Sequence, residues 1–161
     1  MYSAVPENEW RKLRRARADA HLIRHKAAEV IGQLSDLFAE GDAPIETGLT
    51  VEFDEISGLG RIFTPFYGGR FRIDWEVGDE LLGYLIAERQ ITDNNDEIIW
   101  EPVLAIAIPQ RDAPYLGAGA NCLRIDLNGD EGQTRSALYS LGMSLLYAFV
   151  RGSGQGAFLS P

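Results

Sequence analysis

The chain has 161 residues, enough for one domain with a sizeable core, and no break in composition calls for a second. Fifteen basic against 24 acidic residues leave a net charge of -9. That excess repels phosphates, so direct nucleic-acid binding is not expected. No run nears the roughly 20 apolar residues that span a bilayer. The opening MYSAVPENEW lacks the apolar stretch of a secretory leader, and the lone Cys122 builds no internal disulfide framework, so a cytoplasmic location is the default expectation.

The charge is unevenly spread. Residues 1–30 hold seven basic and four acidic side chains, a net of +3; residues 31–161 hold eight and twenty, a net of -12. The first segment, from Glu7 to about Glu40, is rich in Ala, Leu, Arg and Glu and is broken only by Gly32, which predicts one long helix. Leu13, Ala16, Ala20, Ile23, Ala27, Val30, Leu34 and Phe38 recur at three- and four-residue steps, the spacing of a core-facing stripe. Pro6 stands where a helix begins, and Gly41 with Pro44 ends it. Arg11, Arg14, Ala18, His21, His25 and Glu29 fall on the opposite face. His21, His25 and Glu29 have the helical spacing of metal ligands, but no distant fourth ligand or HExxH pattern accompanies them, so a solvated face is the preferred reading and no metal or cofactor is expected. The Arg-rich segment around them is read mainly as solvated, with phosphate or an acidic protein, even the acidic body of a second copy of the chain, as its alternative target.

Strand patterns follow. Leu49–Asp54 alternates with Leu49, Val51 and Phe53 inward, and Arg70–Trp75 alternates with Phe71, Ile73 and Trp75 inward, leaving Arg70, Arg72, Asp74 and Glu76 for cross-strand ion pairs. The most apolar stretch is the pair of runs around Leu81–Ala87 and Ile98–Ile108. An Asp-Asn-Asn-Asp turn joins them into a hairpin whose two faces should both be covered. Pro102 predicts a bulge or an edge position. Residues 109–121, PQRDAPYLGAGAN, show no periodicity; a loop of that length is often functional, and a plain crossover is the equal alternative. Cys122–Leu127 reads as a last strand with Leu123, Ile125 and Leu127 inward. Asp126, Asn128 and Asp130 imitate the start of a calcium loop, but Glu131 and Ala137 stand where glycine and glutamate are needed. Asn128-Gly129 as a turn and Asp130 as a helix cap, with Gln133 completing a capping box, explain more. A final helix, 131–150, is apolar on two faces, Leu138, Leu141, Leu145 and Phe149 on one, and Tyr139, Met143, Leu146 and Val150 on the other, and so needs two covers.

The fold expected is therefore α+β: an antiparallel sheet of about six strands (49–56, 60–65, 70–76, 80–92, 97–108 and 121–127), a long N-terminal helix (7–40) and a C-terminal helix (131–150), in one domain with a flexible tail, 151–161. No Ser-His-Asp, Cys-His or metal pattern emerges, so an enzyme is the less favoured class. The reading preferred is a non-enzymatic module, of adaptor, immunity, chaperone or inhibitor type, whose acidic surface engages a basic or amphipathic protein. Its expected contacts are Asp93, Asp96 and Glu97 in the hairpin turn and Arg111, Asp112 and Tyr115 in the long loop, with homodimerisation through the C-terminal helix as a further expectation. The alternative is a small-molecule site or an enzyme pocket between sheet and helices, lined by Trp75, Tyr84 and Trp100.

Overall fold

The computed structural model describes residues 4–54, 56 and 58–152. Helix α1 runs from Glu7 to Ala39 and a short α2 from Ala43 to Thr47. Seven strands follow: β1 Thr50–Asp54, β2 Leu59–Phe63, β3 Gly68–Val77, β4 Leu81–Thr92, β5 Ile98–Pro109, β6 Tyr115–Leu116 and β7 Leu123–Arg124. Helix α3, Glu131–Arg151, closes the chain. Each strand pairs antiparallel with the next, so the sheet is a curled meander in the order β1 to β7. The α+β class and its two long helices are those the sequence pattern predicts. The expected tail lies, from residue 153, outside the described residues.

The differences are local and have causes. Two-residue β6 arises inside the supposedly structureless loop, where Tyr115 and Leu116 pair with Arg124 and Leu123. The expected strand 121–127 shrinks to Leu123–Arg124, because a 3-10 turn occupies Gly119–Asn121 and the backbone of Ile125 donates instead to Pro114. Ile125 is nonetheless fully buried, and Leu123 and Leu127 pack against the core. Pro102 meets both of its expectations. The β4–β5 register slips by one residue at Val103, between the Ala87–Leu104 and Glu88–Pro102 pairs, and among the described residues no strand pairs with the far side of β5 at Pro102.

Both helices lie on one face of the sheet. Val51, Ile62, Phe71, Leu85, Leu104 and Ile106 project from successive strands into a single core with Ile23, Val30, Leu34 and Phe38 of α1 and Leu141, Leu145 and Phe149 of α3. Two glycines permit the approach: a side chain at Gly83 would put its Cβ 2.4 Å from Ile23, and one at Gly69 would sit 2.4 Å from the Phe149 ring. Of the two faces of the β4–β5 hairpin, both expected to need a cover, the helices thus take only the inner one. The outer face is covered by long side chains of the sheet itself, and Ile86 is buried on that side without a helix above it.

The apolar stripe of α1 is only half used. From Ile23 to Phe38 it is buried, but Leu13, expected in the core, is 55% exposed and Trp10 54%. The helix outruns the sheet, and its first turns stand in solvent. Phe53, expected inward, is half exposed at the margin of the sheet. Among the described residues no helix is long and apolar enough to cross a membrane.

Helix packing supplies a paired test. A Cβ at Gly142 would lie 2.2 Å from the Phe38 ring, whereas one at Gly32 meets nothing within 4 Å. Gly142→Ala is expected to lower stability by about 1–3 kcal/mol through overpacking. Gly32→Ala should raise it by about 0.5–1 kcal/mol through helix propensity. Urea unfolding midpoints of the two variants should move in opposite directions.

Candidate functional site

The outer face of the sheet carries the densest polar chemistry. Alternation along β3 and β4 sends Arg70, Arg72, Asp74 and Tyr84, Ile86, Glu88 to this side. Glu88 is only 5% exposed and is held by two arginines: Arg70 Nε donates to one carboxylate oxygen at 3.1 Å and Arg72 Nε to the other at 3.0 Å. Arg72 also reaches Asp74 at 3.2 Å, and the Arg70 guanidinium lies over the Trp100 ring at 4.0 Å. A buried carboxylate needs such pairing, because leaving it alone would be prohibitively costly. Asp74 and Glu88 are therefore bridged by Arg72, which holds both as counter-ions. Of the cross-strand ion pairs expected on the polar face of β3, Arg70 and Arg72 make theirs to Glu88, whereas Asp74 pairs with Arg72 of its own strand; the role of Glu88 as the hub was not legible.

Tyr84 stands beside this cluster. Burial, and then the hydrogen bond it donates to Glu76 (2.9 Å), push its phenol up to about 12. Trp75 faces the opposite way, packed against the core with Arg24 at 5.6 Å from its ring, while Tyr84 and Trp100 lie on the outer face. The three aromatics expected to line one hollow between sheet and helices are on two sides of the sheet.

The predicted contact residues also separate. Asp93, Asp96 and Glu97 form the turn before β5, whereas Arg111, Asp112 and Tyr115 follow its end, roughly 35–40 Å away for a strand of this length. They are two patches. In the first, the Asp93 carboxylate accepts from the backbone N–H of Asn95 (2.8 Å) and Glu97 (2.9 Å), so it shapes its own turn, and Asp96 adopts φ 61°. In the second, Lys26 Nζ donates to the carbonyls of Pro109, Gln110 and Asp112 at 2.9, 2.7 and 3.1 Å. That loop is fastened to α1 by a lysine more than eighty residues upstream, a contact without a local signature. Arg111 and Asp112 stay exposed, and Tyr115 joins the outer face opposite Ala107.

The helix pair His21 and His25 remains solvated, with His25 Nε2 3.8 Å from Glu29, and among the described residues no three potential ligands converge on a metal position. Asp126 uses its carboxylate to accept from the Asn128 N–H, and Asp130 accepts from Gln133 at the start of α3, which is the turn-and-cap arrangement expected there.

Among the apolar surfaces exposed in the described residues, two lie on the long helices. On α3, Tyr139, Met143, Tyr147 and Val150 form an exposed stripe about 17 Å long. The inner side of Tyr139 stacks on Phe38 (ring centroids 5.8 Å, interplanar angle 10°). Tyr147 was missed from sequence, where half-buried Leu146 took its place; steps of four, four and three residues from Tyr139 are the signal that identifies it. The stripe begins beside an acidic corner built by Asp36, Glu40, Asp42 and Glu131 around open grooves, one of about 490 Å³ running from Leu37 to Tyr139. Arg135 is the base in that corner, 3.8 Å from Glu40. The second surface is the free start of α1, with Trp10 and Leu13.

Compared with known protein families, curated proteins and solved structures, the chain matches none.

Two measurements probe the outer face. Glu88→Gln leaves Arg70 and Arg72 without their shared counter-charge and should lower stability by about 1–3 kcal/mol, read as a fall in the urea midpoint at unchanged slope. In an alkaline titration followed by phenolate absorbance, Tyr84 should ionise near 12 rather than its ordinary 10, and Tyr84→Phe should remove that late step. Because the folded phenol holds its proton more tightly than the unfolded one, its contribution to stability is complete below pH 10 and is lost as pH rises through 12.

Proposed function

We propose that this chain is a protein-binding module whose acidic, apolar-centred surface takes a basic amphipathic segment of a partner protein. One observation carries the reading: Tyr139, Met143 and Val150 are exposed along α3, which starts beside the acidic corner of Asp36, Glu40, Asp42 and Glu131. Aromatic and methionine side chains are the types enriched at the centres of protein interfaces. Methionine adds a flexible, polarizable contact that adapts to different partner side chains. Carboxylates at the rim steer and select a cationic segment more than they add affinity. A helix with apolar residues three and four apart and a basic flank would lie along such a stripe.

This reading moves the contact from the hairpin turn and the long loop, which the sequence pattern favoured, to the helical face. Six side chains in two distant patches serve one partner poorly. A continuous stripe of about 17 Å matches about three turns of a docked helix.

The test is titration of a synthetic basic amphipathic helical peptide of alternating Leu and Lys turns into the labelled protein, followed by fluorescence anisotropy. Binding is expected at low salt, weakening steeply between about 50 and about 300 mM salt as screening shortens to a few ångströms. Tyr147→Glu should weaken it about tenfold or more while circular dichroism stays unchanged, since the side chain is about half exposed. Binding that ignores both salt and Tyr147 would overturn the proposal.

A further inference from the structure

The two ends of this molecule carry opposite charge. Between Trp10 and Ala18 stand Arg11, Lys12, Arg14, Arg15 and Arg17, and no acidic residue. Arg11 and Lys12 pair with Glu7 and Glu9, whereas among the described residues no carboxylate pairs with Arg14, Arg15 or Arg17. Arg14, Arg17, His21 and Arg24 follow one another at steps of three and four residues and line one open hollow along α1, with no carboxylate in its lining. Trp10 and Leu13, each about half exposed, lie one turn before Arg14 and Arg17 on that flank.

The sheet holds this arm at one end of the body and its most acidic turn at the other. Ile23 lies at Gly83, and Lys26 binds the carbonyls of Pro109, Gln110 and Asp112, so the arm leaves the body where β4 begins and β5 ends. Ile31 lies at Gly60, beside Phe71 and so in the row of Ala87; α1 therefore advances toward the hairpin turn, and its start points the opposite way. The turn stands at the far end of the same strands, roughly 30 Å from the base of the arm. There Asp93 shapes its own turn, Asp96 and Glu97 are exposed, and no basic residue occurs from Gln90 to Ile108. Ile98 and Ile99, 62% and 42% exposed, add apolar surface on either side of the strand. Arm and turn of one chain cannot meet.

We infer that the cationic start of α1 takes the acidic end of the β4–β5 hairpin of a second copy, and that two copies lie antiparallel about a twofold axis, each arm on the other's turn. The inference involves neither α3 nor the corner at Asp36 and Glu40. Opposite charge at opposite ends favours antiparallel alignment and selects the partner end. Guanidinium groups match carboxylates in paired hydrogen bonds, which suits Arg14 and Arg17 to Asp96 and Glu97. Trp10 and Leu13 would meet the exposed isoleucines beside those carboxylates. Under a twofold axis one contact brings its equal, and the pair closes with no free end to propagate a filament.

Other occupants fit the arm less well. Two arms packed together would set five cations against five in the Trp10–Ala18 stretches. Leu13, Ala16 and Ala20 share the face of Ile23 and Ala27, so a flat bilayer laid on it would run into the end of the sheet. The net of -12 on residues 31–161 would also oppose an anionic surface.

The experiment is light scattering on the full chain up to about 100 µM. The expected mass is twice 17.8 kDa at low salt, falling toward the monomer between about 50 and about 300 mM salt. Two variants reverse the charge of one end each: Arg14→Glu with Arg17→Glu in the arm, and Asp96→Asn with Glu97→Lys in the turn. Asparagine keeps the left-handed backbone at position 96, and all four side chains are exposed, so circular dichroism should not change. Each variant alone should associate about tenfold or more weakly than the parent. Mixing them should restore the dimer, because the native arm of the second meets the native turn of the first, and the two reversed ends complement each other. All four substitutions in one chain should restore it as well. A parent chain that stays monomeric, a mass that grows past the dimer, variants that associate no better mixed than apart, or a monomer that sediments with phosphatidylserine vesicles would each overturn the inference.

Discussion

The burial of one helical stripe, Ile23 to Phe38, organises this molecule. Those side chains occupy the inner face of the curled sheet together with Leu141, Leu145 and Phe149 of α3, and both helices are thereby committed to the same side. The consequence reaches across the sheet. The outer side of β4 must be shielded without a helix, so the buried Glu88 draws Arg70 and Arg72 flat over the strands, and Trp100 supports Arg70 from beneath. Long cationic side chains cover apolar surface with their stems while their heads pair with carboxylates. The acidic stretch from Asp74 to Glu101 is consequently less available to a partner than its composition implies. Asp74, Glu88 and Glu101 neutralise arginines, and Glu76 accepts from Tyr84.

Arg89 plays the corresponding part on the inner side. It pairs with Glu101, lies 4.6 Å from the centre of the Tyr67 ring, and donates to the Phe149 carbonyl near the C-terminus of α3. A cation at that end of a helix meets both an unsatisfied carbonyl and the negative pole of the dipole. One arginine thus joins the hairpin to the last helix. Gly152 gives it room, since a Cβ there would stand 2.2 Å from the guanidinium.

Local periodicity made the helices, the five long or alternating strands, the Pro102 bulge and the cap at Asp130 legible, because each depends on neighbours in sequence. What was not legible depends on pairs far apart. Lys26 fastening residues 109–112, Arg89 reaching Phe149, and the pairing of Tyr115 with Arg124 leave no periodic trace. Apolar stripes carry a further ambiguity. The same spacing that places Ile23 and Ala27 in the core continues through Leu13, and only the extent of the sheet decides where burial stops. The candidate contact residues failed to converge for a related reason: charge in a turn can be read from sequence, but its distance from another loop is set by strand length. On α3, two apolar faces were legible, and which of them is the more exposed was not.

The start of α1 continues as a helix past the part that the core buries. A helix of this length is marginal in water by itself, because nucleation costs more than the first hydrogen bonds return. Here nucleation is already met by the docked half, and the arm propagates from it with Glu7–Arg11 and Glu9–Lys12 pairs along its surface. Those pairs contribute only a few tenths of a kcal/mol each. Helical order in the arm therefore gains little from within, while Trp10 and Leu13 lose nothing by being covered. An arm held in helical form by the core and uncovered on its apolar side loses less conformational entropy on docking than a disordered segment would. The constraint that fixes Ile23 to Phe38 on the sheet thus also holds the preceding turns in helical form.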